Sequence, residues 1–265
     1  MRVGIAGITG RLGQLLVQEA RAAGDQVVGG TSRAATGPGD AIIAGFSDIA
    51  RFSDIASLAA ICDVVIDFTH ASRAAFHAAA LAQAGVPLVL GTSGLSAADE
   101  AAVAAAAADI PICYAPNFAP GVTLALVLAE RMAAALPASQ YDAEILEMHH
   151  RQKVDAPSGT AIGLGRAVAA GRGVDFAAMM DSGRDGHTGP RKTGAIGFAA
   201  LRGGQVVGEH SLIFAGASEH LVLTHRSFDR RVYATGAVQA AHWLVGRAPG
   251  LFDMRDVLGL APTPP

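Results

Sequence analysis

The segment Glu147-Met148-His149-His150-Arg151-Gln152-Lys153, continued by Val154-Asp155-Ala156-Pro157-Ser158-Gly159-Thr160, is the densest polar cluster in a chain with only 16% charged residues. Imidazoles titrate near neutrality, so His149 and His150 can move protons or donate hydrogen bonds. Lys153 supplies a full positive charge or a proton. Ser158 is placed to cap a helix over 161–170. Backbone N–H groups of Gly159 and Thr160 at that helix start, reinforced by the helix dipole, favour a carboxylate. The set suits a dianionic substrate. Two other readings stay open at this point. Adjacent histidines serve as metal ligands in some sites, although neighbours on an extended chain point oppositely and no third ligand spacing follows. Histidines at a strand end are also common as plain surface residues.

A second motif lies at the other end of the chain. Gly7-Ile8-Thr9-Gly10-Arg11-Leu12-Gly13 joins an N-terminal strand to a helix. Such a glycine turn brings backbone N–H groups close to a pyrophosphate, and its last glycine lets helix and strand pack closely. A plain structural strand–helix turn is the alternative. The second strand ends in Thr31-Ser32-Arg33, with no acid. A carboxylate there binds the ribose 2′-hydroxyl, whereas an arginine favours a 2′-phosphate. The expected cofactor is NADPH at least as readily as NADH.

These motifs need elements to hold them. Apolar runs predict strands over 3–7, 26–30, 63–67, 86–91 and 112–115, with helices over 11–23, 72–84 and 97–108 between them. Alternating strands and helices predict a parallel sheet covered on both faces. The rhythm changes near Gly121. A helix over 122–136 precedes strands over 142–148, 194–201, 205–211 and 220–225, which suggests a mostly antiparallel or mixed sheet. A helix over 232–245 and a tail over 251–257 follow. The fold expected is α/β: a Rossmann-like parallel-sheet domain over 1–121, and a second α+β domain with an open mixed sheet over 122–230. Residues 231–265 are expected to return to the first domain.

Composition excludes some classes. The net charge of -3 and the lack of a basic run argue against a sequence-independent grip on nucleic acid. An apolar share of 51% raises the question of a membrane span. The two long uncharged runs, 74–98 and 110–129, are broken by prolines and glycines and read as separate elements. Cys62 and Cys113 fit no metal or redox spacing and read as small buried thiols. A strand from the first residues leaves no room for a signal peptide, so a cytoplasmic protein is expected.

The string His-His-x-x-Lys-x-Asp-Ala-Pro-Ser-Gly-Thr resembles the signature of the 4-hydroxy-tetrahydrodipicolinate reductase (dihydrodipicolinate reductase) family of bacterial lysine and diaminopimelate synthesis. The turn from Gly7 to Gly13 resembles that family's cofactor turn. Gly91-Thr92-Ser93-Gly94 and Ala115-Pro116-Asn117-Phe118 resemble its nicotinamide-side loops. The runs 202–210 and 250–258 resemble further family segments, in order. The resemblance implies that His149 and Lys153 are catalytic, handling the proton, and that His150, Gly159 and Thr160 bind substrate. It implies cofactor contacts at Gly7, Ile8, Thr9, Gly10, Arg11, Leu12, Arg33, Gly91, Thr92, Ser93, Ala115, Pro116, Asn117 and Phe118. It also implies no metal, use of NADPH or NADH, and a homotetramer built through the second domain. The chain departs from the family where many members carry an acid in place of Ser32. A second departure is a short loop between Arg33 and Ile61. Semialdehyde-type dehydrogenases share such a two-domain plan, but those forming a thioester need an activated cysteine. A nicotinamide-binding sensor without turnover is the reading from another class.

Overall fold

The computed structural model describes residues 1–32 and 49–260. In chain order the elements are β1 (Arg2–Ala6), α1 (Arg11–Ala22), β2 (Gln26–Thr31), β3 (Ala50–Phe52), α2 (Ile55–Ala59), β4 (Val64–Asp67), α3 (Ala71–Ala84), β5 (Leu88–Leu90), α4 (Ala97–Ala106) and β6 (Pro111–Tyr114). There follow α5 (Pro120–Ala135), β7 (Asp142–His149), α6 (Gly159–Arg172), α7 (Phe176–Met179), β8 (Met180–Ser182), β9 (Ile196–Arg202), β10 (Gly208–Ala215) and β11 (His220–Ser227). The chain ends with α8 (Arg231–Leu244), β12 (Gly250–Phe252) and α9 (Met254–Val257). It divides into two compact units, Met1–Pro120 with Arg230–Pro265, and Gly121–Asp229.

The first unit is built on a parallel sheet of order β12-β6-β5-β4-β1-β2-β3. β4 and β5 are buried at every position. Strands covered on both faces are mostly apolar, so these read as Val, Ile and Leu runs; the exception, buried Asp67 at the end of β4, is met by His77 Nδ1 at 2.7 Å and the Thr69 N–H at 2.8 Å. One face packs Val3, Ile5, Leu16, Val17 and the α8 residues Ala237, Val238 and Leu244 into a core. The other packs Leu58, Leu81, Leu88, Val103 and Ile112. The strand order reverses beside β1, the switch point where open α/β sheets bind ligands at the carboxyl ends of their strands.

The second unit carries a mixed sheet of order β11-β10-β7-β9-β8. β10 runs antiparallel to both β7 and β11, and β9 runs parallel to β7 and β8. Residues 143, 145, 212 and 214 face a core shared with Ala129, Leu164 and Val168 of the covering helices.

Three expectations shift. β10 starts at Gly208 rather than 205, because Gly204 turns at φ +53° and the buried alternation runs Gly208, His210, Leu212, Phe214. The tail at 251–257 resolves into two short elements: β12 adds to β6 in parallel, and Met254 and Val257 of α9 join the first core. The stretch before Ile61 holds β3 and α2, whose Asp54 cap accepts from the backbone N–H of Ser57 at 2.8 Å. No helix among the described residues is long and apolar enough to cross a membrane.

Candidate active site

β7 alternates strictly, burying Ala143, Ile145, Glu147 and His149 on one face. The first two are apolar and meet the core. The last two carry polar groups on the same face, so the strand's carboxyl end turns the floor of the unit from oil to chemistry. Register supplies the partners. His149 lies opposite Arg202 on β9, Glu147 opposite His210 on β10, and His210 opposite His225 on β11. Partners across a sheet point to the same face.

Glu147 is 1% exposed and is the hub. Arg202 grips it bidentately, Nη1 to Oε2 and Nη2 to Oε1, each at 2.8 Å. The Ser158 backbone N–H donates to Oε1 at 3.1 Å, and His149 Nδ1 lies 2.5 Å from Oε2. Burial pushes this carboxyl up, but Arg202 and His149 more than offset it and hold it below the usual range. Burial lowers the His149 pKa, opposed by Glu147 and aided by Lys153 and Arg202. His210 packs edge-on against His149 at 5.0 Å. Burial pushes its pKa down to about 4, with the His149 charge next in effect. It is therefore a neutral ring at ordinary pH. Its Nε2 is 2.9 Å from Ser158 Oγ. That oxygen also accepts the Ala161 N–H at 3.2 Å, so Ser158 caps α6 as its sequence position predicts.

Gly159 and Thr160 form the first turn of α6, and the space beside the Gly159 Cα is open. Their N–H groups lie at the positive end of the α6 dipole. Lys153 sits on the turn after β7, its backbone N–H donating to His150 O at 3.1 Å. Its ammonium contacts both oxygens of Asp155 at 2.8 Å. Arg202 Nη2 ties the same turn down through Asp155 O at 2.7 Å. The structure thus gathers His149 and the start of α6 around Glu147, with Lys153 on the adjoining turn that Arg202 ties down; His150 is half-buried.

The cofactor-side residues fall in the first unit. Gly7 adopts φ +71°, and a Cβ on Gly13 would lie 2.5 Å from Gly7 O, so only glycine permits this turn. Gly10 is the α1 N-cap without a side-chain bond, and no acid occupies the first turn. The helix start is therefore open to an anion. Thr31 stitches the turn to β2, accepting Gly7 N–H at its Oγ1 at 3.2 Å. Thr9 Oγ1 lies 3.4 Å from Ser32 Oγ. Thr9, Gly10 and Arg11 are exposed and Leu12 half-buried. Arg33 lies outside the described residues. Ser93 and Pro116 are exposed, Gly91 and Asn117 are half-buried, and Thr92 and Ala115 are buried. Ile8 and Phe118 are fully buried, so their side chains serve the core and only backbone groups can face a ligand. Asn117 Oδ1 accepts the Ala119 N–H at 2.8 Å and shapes the last loop.

Residues 1–118 match the family model for the dihydrodipicolinate reductase N-terminus, and residues 121–258 match that for its C-terminus. The chain belongs to the dihydrodipicolinate reductase family. Its relatives include the 4-hydroxy-tetrahydrodipicolinate reductase of Granulibacter bethesdensis, 63% identical over 98% of this chain and 97% of that protein. The enzyme of the same name from Gluconacetobacter diazotrophicus is 60% identical over 98% of each. A dipicolinate-bound dihydrodipicolinate reductase from Paenisporosarcina sp. TG-14 superposes with a TM-score of 0.74 at 25% identity, covering 96% of this chain and 97% of that one.

The sequence shows Glu147 in the polar segment, Arg202 and His210 at the two ends of the family run 202–210, and His225 at the end of a predicted strand, with no part assigned to any of the four. Glu147 had a legible signal: two residues before His149 in a strand, it must share that face. For Arg202, His210 and His225 no local pattern gives the partner, because only strand pairing brings β9 and β10 beside β7, and β11 beside β10.

Proposed function

We propose that this chain reduces 4-hydroxy-tetrahydrodipicolinate to tetrahydrodipicolinate with loss of water, in lysine and diaminopimelate synthesis. The observation that carries this reading is the clustering of His149 and the α6 start around a buried Glu147–Arg202 pair, with Lys153 on the turn that Arg202 holds, in a member of this family. The turn from Gly7 to Gly13 fits a dinucleotide, by its open helix start and the close approach at Gly13. Bound NADPH or NADH supplies the hydride. Gly7, Ile8, Thr9, Gly10, Arg11 and Leu12 hold its phosphates. Gly91, Thr92, Ser93, Ala115, Pro116, Asn117 and Phe118 line its nicotinamide side, and Arg33 its ribose side.

The remaining work belongs to the second unit. Gly159 and Thr160 N–H groups bind one substrate carboxylate at the positive end of α6, and His150 donates to the other. Reduction leaves an electron-rich ring nitrogen and C3. Lys153 exchanges Asp155 for this charge, stabilises it and provides the proton, with His149 as proton donor or acceptor. A thioester-forming dehydrogenase is disfavoured by the cysteines: burial, then Asp63, pushes Cys62 up to about 11. Burial, then Asp253 and Asp256, pushes Cys113 up to about 12. Neither is an activated thiolate.

The outer face of the second sheet exposes Leu146, Leu201 and Val222, supporting a homotetramer built through it. The protein works in the cytoplasm on a small dicarboxylate, without nucleic acid, membrane or metal. Oxidation of NADPH and NADH by the purified protein, with freshly generated hydroxy-tetrahydrodipicolinate, tests the reading. Turnover is expected with NADPH at a KM no higher than that for NADH. Lack of turnover with both refutes the activity, and a strong NADH preference refutes the role of Ser32 and Arg33.

A further inference from the structure

Glu147 has no part in the proton transfer above, yet it ties together His149, Ser158 and Arg202. Its two oxygens take hydrogen bonds from His149, the Ser158 backbone and both Arg202 terminal nitrogens. A carboxylate with 1% exposure stays ionised only when a cation and donors surround it, and here they do. An ionised carboxylate accepts hydrogen bonds and donates none. The short contact at Oε2 therefore requires the proton of neutral His149 to sit on Nδ1, leaving Nε2 as the acceptor. The other oxygen fixes Ser158, whose next two residues are the first turn of α6.

We infer that Glu147 is a positioning residue: one carboxylate sets the His149 tautomer and seats the helix start that binds the substrate carboxylate. Gly208 completes the arrangement. A Cβ there would lie 3.1 Å from His149 Nε2, so glycine leaves this nitrogen's side of the ring clear. The groups acting on or packed against His149 are Glu147 on its own strand, Lys153 on the next turn, Arg202 from β9, and His210 from β10 with His225 behind it. Among the charged groups acting on its proton, Lys153 and Arg202 disfavour the imidazolium and Glu147 favours it. The role rests on the proposed reduction through His149, but its structural core does not need that activity.

Glu147→Gln and Arg202→Met are the informative pair. A glutamine that keeps its oxygen toward Ser158 and Arg202 turns its amide N–H toward His149 Nδ1. Nitrogen-15 spectra of histidine-labelled protein, with the His149 signal identified by its loss in His149→Asn, are expected to show the proton moved to Nε2. The kcat of Glu147→Gln should fall by about 100-fold or more, toward the roughly 10⁴-fold lost when an acid-to-amide change beside a working histidine reverses its tautomer. Its His149 titration should move to lower pH. In Arg202→Met the carboxylate acts on His149 without a competing cation, so the tautomer should persist and the titration move to higher pH. General loosening of the fold does not produce opposite shifts. A wild-type tautomer in folded Glu147→Gln overturns the inference. If Glu147→Gln does not fold, an unmoved or downward titration in Arg202→Met overturns it instead. A wild type without turnover refutes the reduction but leaves the tautomer test intact.

Discussion

Lys153 and Ser158 show how differently two polar side chains of one segment are used. The Lys153–Asp155 pair reaches toward solvent, with the Asp155 side chain 57% exposed. An ion pair of that kind contributes little to stability, on the order of 0–1 kcal/mol. Lys153→Ala should therefore leave the unfolding midpoint almost unchanged while lowering kcat about 100-fold or more, the usual worth of a positioned acid. Near-normal turnover in a cofactor-oxidation assay would remove Lys153 from the mechanism. Ser158 is 2% exposed and serves both the Ala161 N–H and the His210 ring. Ser158→Ala is expected to cost about 1–2 kcal/mol in urea unfolding, as lost caps do. An unchanged midpoint would show that the cap is dispensable.

At the scale of elements, the first unit depends on how closely α1 meets the strand end before it. A methyl group on Gly13 meets the backbone oxygens of Gly7 and Ile8 at 2.5 and 2.7 Å. Backbone atoms cannot move aside as a side-chain tip can. Gly13→Ala should weaken NADPH binding at least about tenfold, the equivalent of roughly 1.4 kcal/mol, by displacing the N–H groups that cradle the pyrophosphate. Titration by nicotinamide fluorescence would measure it, and wild-type affinity would mean that the turn does not hold the phosphates. In the second unit the corresponding device is register. A slip of one residue would turn His210 away from Glu147 and replace it with Glu209 or Ser211.

The whole molecule should respond unevenly to acid. Burial keeps His210 near 4, and burial also lowers His149 and His225, against an ordinary value of 6.5. Above about 6.5 these rings are neutral in both folded and unfolded states. As pH falls toward 4 the unfolded chain takes protons that the folded one refuses, so stability falls through that window. Glu147 adds to this, since its lowered pKa stabilises the fold above about 4.5 and that contribution is lost as pH falls further. All four groups lie in the second unit, Gly121–Asp229. The single tryptophan, Trp243, lies on α8 of the first. Urea unfolding at pH 5 should therefore show circular dichroism falling before tryptophan fluorescence changes, with a lower midpoint than at pH 7. A midpoint that does not move between these pH values would contradict the buried neutral histidines.

The sequence alone determined what local chemistry can determine. Unbroken Val, Ile and Leu runs could only be strands covered on both faces, and Gly7 and Gly13 could only serve a tight strand-to-helix turn. Ser158 announced the cap of α6, and the His-His-x-x-Lys string was specific enough to name the family. Short elements without periodicity, β3, α2 and β12, escaped because a run of three to five residues has no pattern to read. The start of β10 was misplaced because Val206-Val207 looks like strand until its neighbours fix the register. Tertiary structure decided the rest. Arg202 and His210 lie 55 and 52 residues from their partners Glu147 and Ser158, and strand pairing brings them into contact. The polar segment at 147–160 was visible as a list of groups. Which nitrogen of His149 faces a ligand depends on a carboxylate kept ionised in a buried place, and that depends on an arginine arriving from another strand.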